Sequence, residues 1–349
     1  MNQEYIIKKE ASIIDALKQL NDQSGSLKTL VVVDEKYKVV GTITDGDIRR
    51  SLIEGLNTSA CILKAVNFNF FYLSELESHP VTVIRQFKEK GIKLLPVVSK
   101  TMMLVDIINL VKTKTKLPLD AVLMAGGKGV RLRPLTETTP KPLLPVGGKP
   151  IIDYNIDSLM DNGVTHISVT VNYLHEQLEK HFAKPKNGVK IDCIKEPHFL
   201  GTMGATQFIP KFYNDIILVM NSDLFTNIDY EDFYLHFKEH DVDMSVAAIP
   251  YSVSVPYGIF ELEGRKIKGI KEKPVYNYFA NAGIYLIKRE LLEMMPKNTF
   301  YNATDLMNDA VAAGRTVIRY PITGYWLDIG SHAEYQKANE LVKHIKKNR

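Results

Sequence analysis

The stretch "DAVLMAGGKGVRLRPLTETTPKPLLPVGGKP", residues 120–150, limits what this chain can fold into more than any other part of it. A short apolar strand ends in a loop bearing Gly126, Gly127 and Gly129, then Arg131, then Lys141 between Pro140 and Pro142. Glycines remove side chains, so that consecutive backbone N–H groups can close on an anion. Arg131 adds a planar fork for phosphate oxygens and Lys141 a point charge. Two familiar glycine motifs do not fit. Leu132 stands where the dinucleotide fingerprint needs its third glycine, and Gly127-Lys128 is followed by Gly129 rather than by Ser or Thr. Two cations with backbone donors suit a triphosphate, and the C-terminal end of a strand is where α/β sheets bind ligands. Beyond the loop, "PIIDYNIDSLMDNG" and "LHEQLEKHF" read as helices, and "HISVTVN", "KIDCIKE" and "DIILVMNSD" as strands. This alternation predicts an α/β domain built on a mostly parallel sheet.

"LVKTKTKLPLDAV" separates that domain, residues 119–349, from an N-terminal region at 1–116 that looks duplicated, at about 1–57 and 58–115. In the first copy, "SIIDALKQL" is a helix with Ser12 as its cap, "TLVVVD" and "VVGTIT" are strands, and "DGDIRRSLIEG" is a helix closed by Gly55. In the second, "VTVIRQFKEKG" repeats the helix, "KLLPVV" the first strand, and "TMMLVDIINLV" the last strand plus helix. Its hairpin is cut down to Ser99-Lys100-Thr101. Strand–strand–helix ending in "GTITDGDIRR" resembles a CBS domain, and the duplication resembles a CBS pair of α+β type. The resemblance implies an adenine nucleotide site at Thr42 or Thr44 and Asp47, an aspartate being able to accept both hydroxyls of a ribose. It also implies a homo-oligomer assembled through this pair. The plainer alternative is that Asp47 caps the helix and Thr44 sits in the turn.

"AGGKGVRLRPLT…PKPLLPVGGKP" resembles the signature of sugar-1-phosphate nucleotidyltransferases, with Val130 where that family usually has Thr or Ser. The resemblance implies a Rossmann-like domain that converts an NTP and a sugar 1-phosphate into an NDP-sugar and pyrophosphate. It implies nucleotide contacts from Ala125, Gly126, Gly127, Gly129, Arg131, Lys141, Gly201 and Thr202. It implies Mg²⁺ held by Asp223 of "NSD" and Asp328 of "WLDIG", hard carboxylates for a hard ion. On the sugar side it implies Lys273 at the sugar's phosphate and Glu272 at its hydroxyls, with Gly258 and Asn281 completing the pocket. Glu196 of "KEPHFLGTMGA" is the candidate reader of the base. Guanine presents two adjacent donors that one carboxylate can accept, which favours GTP; uracil and thymine remain the alternatives.

A CBS pair fused to such a domain is similar to bacterial guanylyltransferases that make GDP-glucosamine for legionaminic acid. Relatives with the same motifs make GDP-mannose or a GDP-heptose, and some with this fold are non-catalytic regulatory subunits. The charges, 44 basic against 40 acidic, make no demand for nucleic acid. Two cysteines, Cys61 and Cys193, exclude a disulfide framework, and "MNQEYIIKKE" has no apolar signal core. No apolar run reaches membrane-spanning length. The expectation is a cytoplasmic protein.

Overall fold

The computed structural model describes residues 3–23 and 27–347. The chain divides into two compact units, Met1–Leu117 with Asp161–Gly163, and Pro118–Met160 with Val164–Arg349.

In the first unit β1 (Ile6–Lys8), α1 (Ile13–Asp22), β2 (Thr29–Val33), β3 (Val39–Thr44) and α2 (Asp45–Ile53) form one half. Strands β4 (Leu73–Ser74), β5 (Leu94–Val98) and β6 (Leu104–Asn109), with α3 (Pro80–Glu89), form the other. Each half is a three-stranded sheet with one parallel and one antiparallel pair, in the same order. Ser12 and Asp15 cap α1 reciprocally, while Ile13, Ala16 and Leu20 bury its inner face. Two expectations are corrected. The second hairpin is not shortened: residues 99–103 connect its strands as 34–38 do in the first half, with Met102 (φ 62°) matching Tyr37 (φ 63°). The two connections bond reciprocally, Val39 N to Met102 O at 2.8 Å and Leu104 N to Tyr37 O at 2.9 Å. Nor does a helix follow β6. Val105, Ile107 and Ile108, β-branched residues around Asp106, continue as strand, and Asn109 Oδ1 then accepts from Val111 N (3.0 Å) and Lys112 N (3.2 Å), turning the chain. Asp106 therefore lies inside a strand instead of heading a helix.

The second unit begins with β7 (Asp120–Met124), α4 (Leu135–Thr138), β8 (Pro145–Val146), β9 (Lys149–Pro150) and α5 (Ile151–Asp161). It continues with β10 (His166–Val171), α6 (His175–His181), β11 (Ile191–Lys195), β12 (Ile216–Asn221), β13 (Leu224–Thr226) and α7 (Tyr230–Glu239). The last elements are β14 (Met244–Ser254), β15 (Ile259–Glu263), β16 (Lys266–Lys271), β17 (Val275–Lys288), α8 (Ala303–Ala312), β18 (Val317–Pro321), β19 (Trp326–Asp328) and α9 (His332–Lys347). Among the described residues the main sheet has the order β11-β10-β7-β12-β17-β14-β18. Strands β11, β10, β7 and β12 are parallel, and β17 runs antiparallel to β12 and β14. Ile216–Met220 of β12 are all buried, as a strand covered on both faces must be. Val122, Ile217 and Val219 pack in one cluster with Leu306 and Ala310 of α8. The topology leaves the C-terminal ends of β7, β10, β11 and β12 together at one edge of the sheet, where the glycine loop emerges.

Candidate active site

A cleft of about 320 Å³ opens at that edge. Its walls include Ala125, Gly126, Gly127, Gly129, Arg131, Lys141, Glu196, Gly201, Thr202, Asp223 and Asp328, all singled out in the sequence, together with Asn221 and Phe199, which were not.

The loop is held rather than loose. Ala125 N donates to Thr170 O (2.9 Å), extending β7 one residue toward the cleft. A Cβ at Gly126 would lie 2.2 Å from Glu196 Oε1, so only glycine lets the loop close on that carboxylate. Gly129 sits at φ +60°, and Thr136 Oγ1 donates to its carbonyl at 2.8 Å. The Arg131 guanidinium packs on Gly330, where a Cβ would approach Nη2 to 3.0 Å.

The two aspartates meet through strand pairing. Asp223 ends the turn after β12, and β13 pairs antiparallel with β19 in a register that sets Leu224 opposite Asp328. Ile329 N donates to Asp223 O (3.2 Å), and Ser222 Oγ to Met124 O (2.7 Å), which ties the turn to the end of β7. Asn155, buried in α5, donates its amide to Ser222 O (3.3 Å) and Leu224 O (2.9 Å), clamping the turn from below. An amide inside an otherwise apolar helix face, "IIDYNID", was the available signal for that residue. Lys141 Nζ forms an ion pair with Asp223 and lies 3.7 Å from Asp328. Burial, and then the neighbouring Asp223 charge, push the Asp328 carboxyl above the usual range, against the pull of Lys141 and Arg131. Two crowded carboxylates that already hold a cation fit a divalent ion taking its other ligands from phosphate and water. Among the described residues no group of three or more His, Cys, Asp or Glu could hold a metal.

Glu196 is 3% exposed at the end of β11. Its Oε2 accepts from Leu200 N at 2.8 Å while Oε1 faces Gly126. Burial raises its pKa, and the Leu200 bond opposes the rise only in part. Gly201, at φ +79°, lies so close to Tyr301 O that a Cβ would come within 2.7 Å. Thr202 Oγ1 accepts from Ala303 N at 2.9 Å, fixing this loop to the start of α8.

The residues expected on the sugar side are not brought into the cleft lining. Gly258, Glu272 and Lys273 flank the β15–β16 hairpin, Glu272 and Lys273 exposed. Asn281 on β17 is spent internally, donating to Tyr285 OH (2.9 Å) and accepting from Gly283 N (2.9 Å). Gly283 in turn abuts Asn221 at the cleft wall. In the first unit Thr42, Thr44 and Asp47 line a separate cleft of about 430 Å³. There Asp47 Oδ2 accepts from Thr44 N (2.8 Å) and Thr44 Oγ1 (2.6 Å), and its Oδ1 pairs with Arg50. Both oxygens already serve the start of α2. No helix among the described residues is long and apolar enough to cross a membrane.

The sequence model of the family described as nucleotidyl transferase matches residues 120–344. That of the CBS domain matches residues 1–54. A protein of Oryza sativa subsp. japonica named "Probable mannose-1-phosphate guanylyltransferase 1" is 31% identical over 227 residues, 62% of each chain. The bifunctional protein GlmU of Methanocaldococcus jannaschii is 30% identical, over 64% of this chain and 54% of its own. The chain thus spans under two thirds of the length of these relatives. The crystal structure of HddC from Yersinia pseudotuberculosis, 26% identical, superposes with a TM-score of 0.51 over 64% of this chain and 99% of HddC. With the family's match covering well over half its length, the chain belongs to the nucleotidyl transferase family, preceded by a CBS domain.

Proposed function

We propose that the chain transfers a guanylyl group from GTP to a sugar 1-phosphate, releasing pyrophosphate and a GDP-sugar. A sugar-phosphate oxygen attacks the α-phosphorus, and the bond to the bridging oxygen of the β-phosphate breaks, pyrophosphate leaving with the electron pair. Such a reaction is driven mainly by positioning and neutralised charge. The backbone of residues 126–129, Arg131 and Lys141 would bind the triphosphate. Asp223 and Asp328 would hold Mg²⁺, which when bound neutralises charge on the transferring phosphate. In its absence Lys141 is the pair's own counter-ion.

The observation that carries the reading is the convergence of Arg131, Lys141 and the two aspartates with the buried Glu196 in one cleft. Each carboxylate oxygen has two lone pairs, so the bond from Leu200 leaves Glu196 able to accept guanine's N1–H and 2-amino group. Guanylyltransferases among the relatives support the base, and the mannose 1-phosphate of their names stands beside glucosamine 1-phosphate as the acceptor. The legionaminic acid route rests on the domain arrangement alone. Pyrophosphate release from a matrix of four NTPs and a set of hexose and hexosamine 1-phosphates tests the proposal. GTP should exceed UTP, dTTP and ATP by about tenfold or more, the yield of roughly 1.4 kcal/mol from one charged hydrogen-bond pair. Equal use of GTP and UTP would refute the base assignment, and no release with any pair would refute the reaction.

A further inference from the structure

Among the described residues in the walls of the nucleotide cleft, Phe199 is the one aromatic side chain, and it is 50% exposed. The segment that carries it is fixed. Glu196 Oε2 takes the N–H of Leu200, which closes a turn over residues 196–200 with Phe199 next to its end. Leu200 is wholly buried while Phe199 beside it faces the cleft, so the two side chains leave the backbone on opposite sides. Residues 299–303 lie along this loop. Tyr301 N donates to Leu200 O (2.9 Å), and Met203 N and Gly204 N both donate to Tyr301 O (2.9 and 3.1 Å). The approach is so close that a Cβ at Gly204 would come within 2.8 Å of Thr299 O. That bonding sets Phe300 beside Phe199, with ring centroids 5.8 Å apart and planes tilted by 59°. Phe300 is itself 53% exposed. Burying the rest of either ring would be favourable, and the fixed backbone holds both half in water instead.

We infer that the Phe199 ring is the platform on which the face of the nucleobase rests while Glu196 takes its edge, with Phe300 holding that ring in place. This rests on the reading of the cleft as a nucleotide site. A nucleobase offers two separate features to a protein, a polar edge and a π face. The rest of the loop answers only the edge: Glu196 is a carboxylate, Gly201 has no side chain, and Thr202 Oγ1 already accepts from Ala303 N (2.9 Å). Phe199, in the same turn as Glu196, supplies the face. Phe300 supports it in the tilted geometry that aromatic pairs prefer, and does so from outside the cleft, whose walls do not include it among the described residues. Stacking tolerates every base, so the two residues divide the work. Phe199 sets how tightly a nucleoside binds and Glu196 sets which one.

Calorimetry of the full chain with Mg²⁺ tests the inference, with GTP, UTP and inorganic tripolyphosphate as probes and Phe199→Ala and Phe199→Trp as variants. Phe199→Ala should weaken GTP and UTP by similar factors, about tenfold to a hundredfold, the loss of one base–aromatic stack. Tripolyphosphate has no base and should bind this variant as it binds wild type. Phe199→Trp should restore GTP binding, and its added indole fluorescence should be quenched by GTP and not by tripolyphosphate. Unchanged GTP affinity in Phe199→Ala overturns the inference, as does an equal loss of tripolyphosphate, which would mark a structural role. A wild type that binds no nucleotide overturns both this inference and the nucleotide reading beneath it. GTP and UTP bound equally by wild type would defeat only the choice of guanine, and the comparison of Phe199→Ala with wild type would still decide the platform.

Discussion

At the scale of single residues the cleft depends on two charged groups with opposite demands. Glu196 is buried, and its proton is held more tightly than in an ordinary carboxyl. The contact with guanine proposed above requires the ionised form, so the sign of the pH effect follows. GTP affinity should be full above the raised pKa and fall as pH drops through it, within a window starting above the usual glutamate range. Titrating a fluorescent GTP analogue against pH checks this, with Glu196→Gln expected to bind weakly and to lose the dependence. Lys141 poses the reverse case. It neutralises Asp223 and Asp328 in a partly buried site, so Lys141→Met should cost on the order of 3 kcal/mol without divalent ions. Mg²⁺ should then raise the melting temperature of the variant more than that of wild type. Equal shifts would mean that lysine and metal do not share the carboxylates.

At the scale of elements, the site is made by close approach between segments distant in sequence. The β13–β19 ladder joins residues about a hundred positions apart, and Asn155 fixes the turn from a third element. Asn155→Ala should cost about 1–3 kcal/mol for two buried carbonyls left unpaired, and should slow turnover further by freeing Asp223. Thermal melts and turnover together separate these effects. Gly126→Ala drives a methyl onto Glu196 and should cost about 1–3 kcal/mol while abolishing nucleotide binding, measured by calorimetry. The convergence of the glycine loop, Arg131, Lys141 and the carboxylates in one cleft was legible in the sequence because strand ends converge in a parallel sheet. The placement of the residues expected on the sugar side was not. Gly258, Glu272 and Lys273 depend on where a long antiparallel arm places them, and nothing local in "KGIKEKP" encodes that. The same limit produced the helix expected after β6, where Val105, Ile107 and Ile108 outweighed the repeat, and hid the bulge in the β15–β16 hairpin.

At the scale of the molecule, two units with separate cores imply separable stability. Calorimetry should resolve two transitions, and GTP with Mg²⁺ should raise only the one belonging to residues 118–349. A single transition shifted as a whole would show the units to be one cooperative body. In the N-terminal unit Asp47 already caps α2 and pairs with Arg50, so an adenine ribose would compete with bonds in place. The central claim, that the paired aspartates and the glycine loop serve nucleotidyl transfer, is tested most directly by following the α-phosphate of GTP. With α-labelled GTP and a sugar 1-phosphate, the label should pass into the GDP-sugar with one pyrophosphate released per transfer, and Asp223→Asn should leave it in GTP. Label recovered in GDP or free GMP, or transfer undiminished in Asp223→Asn, would contradict the account.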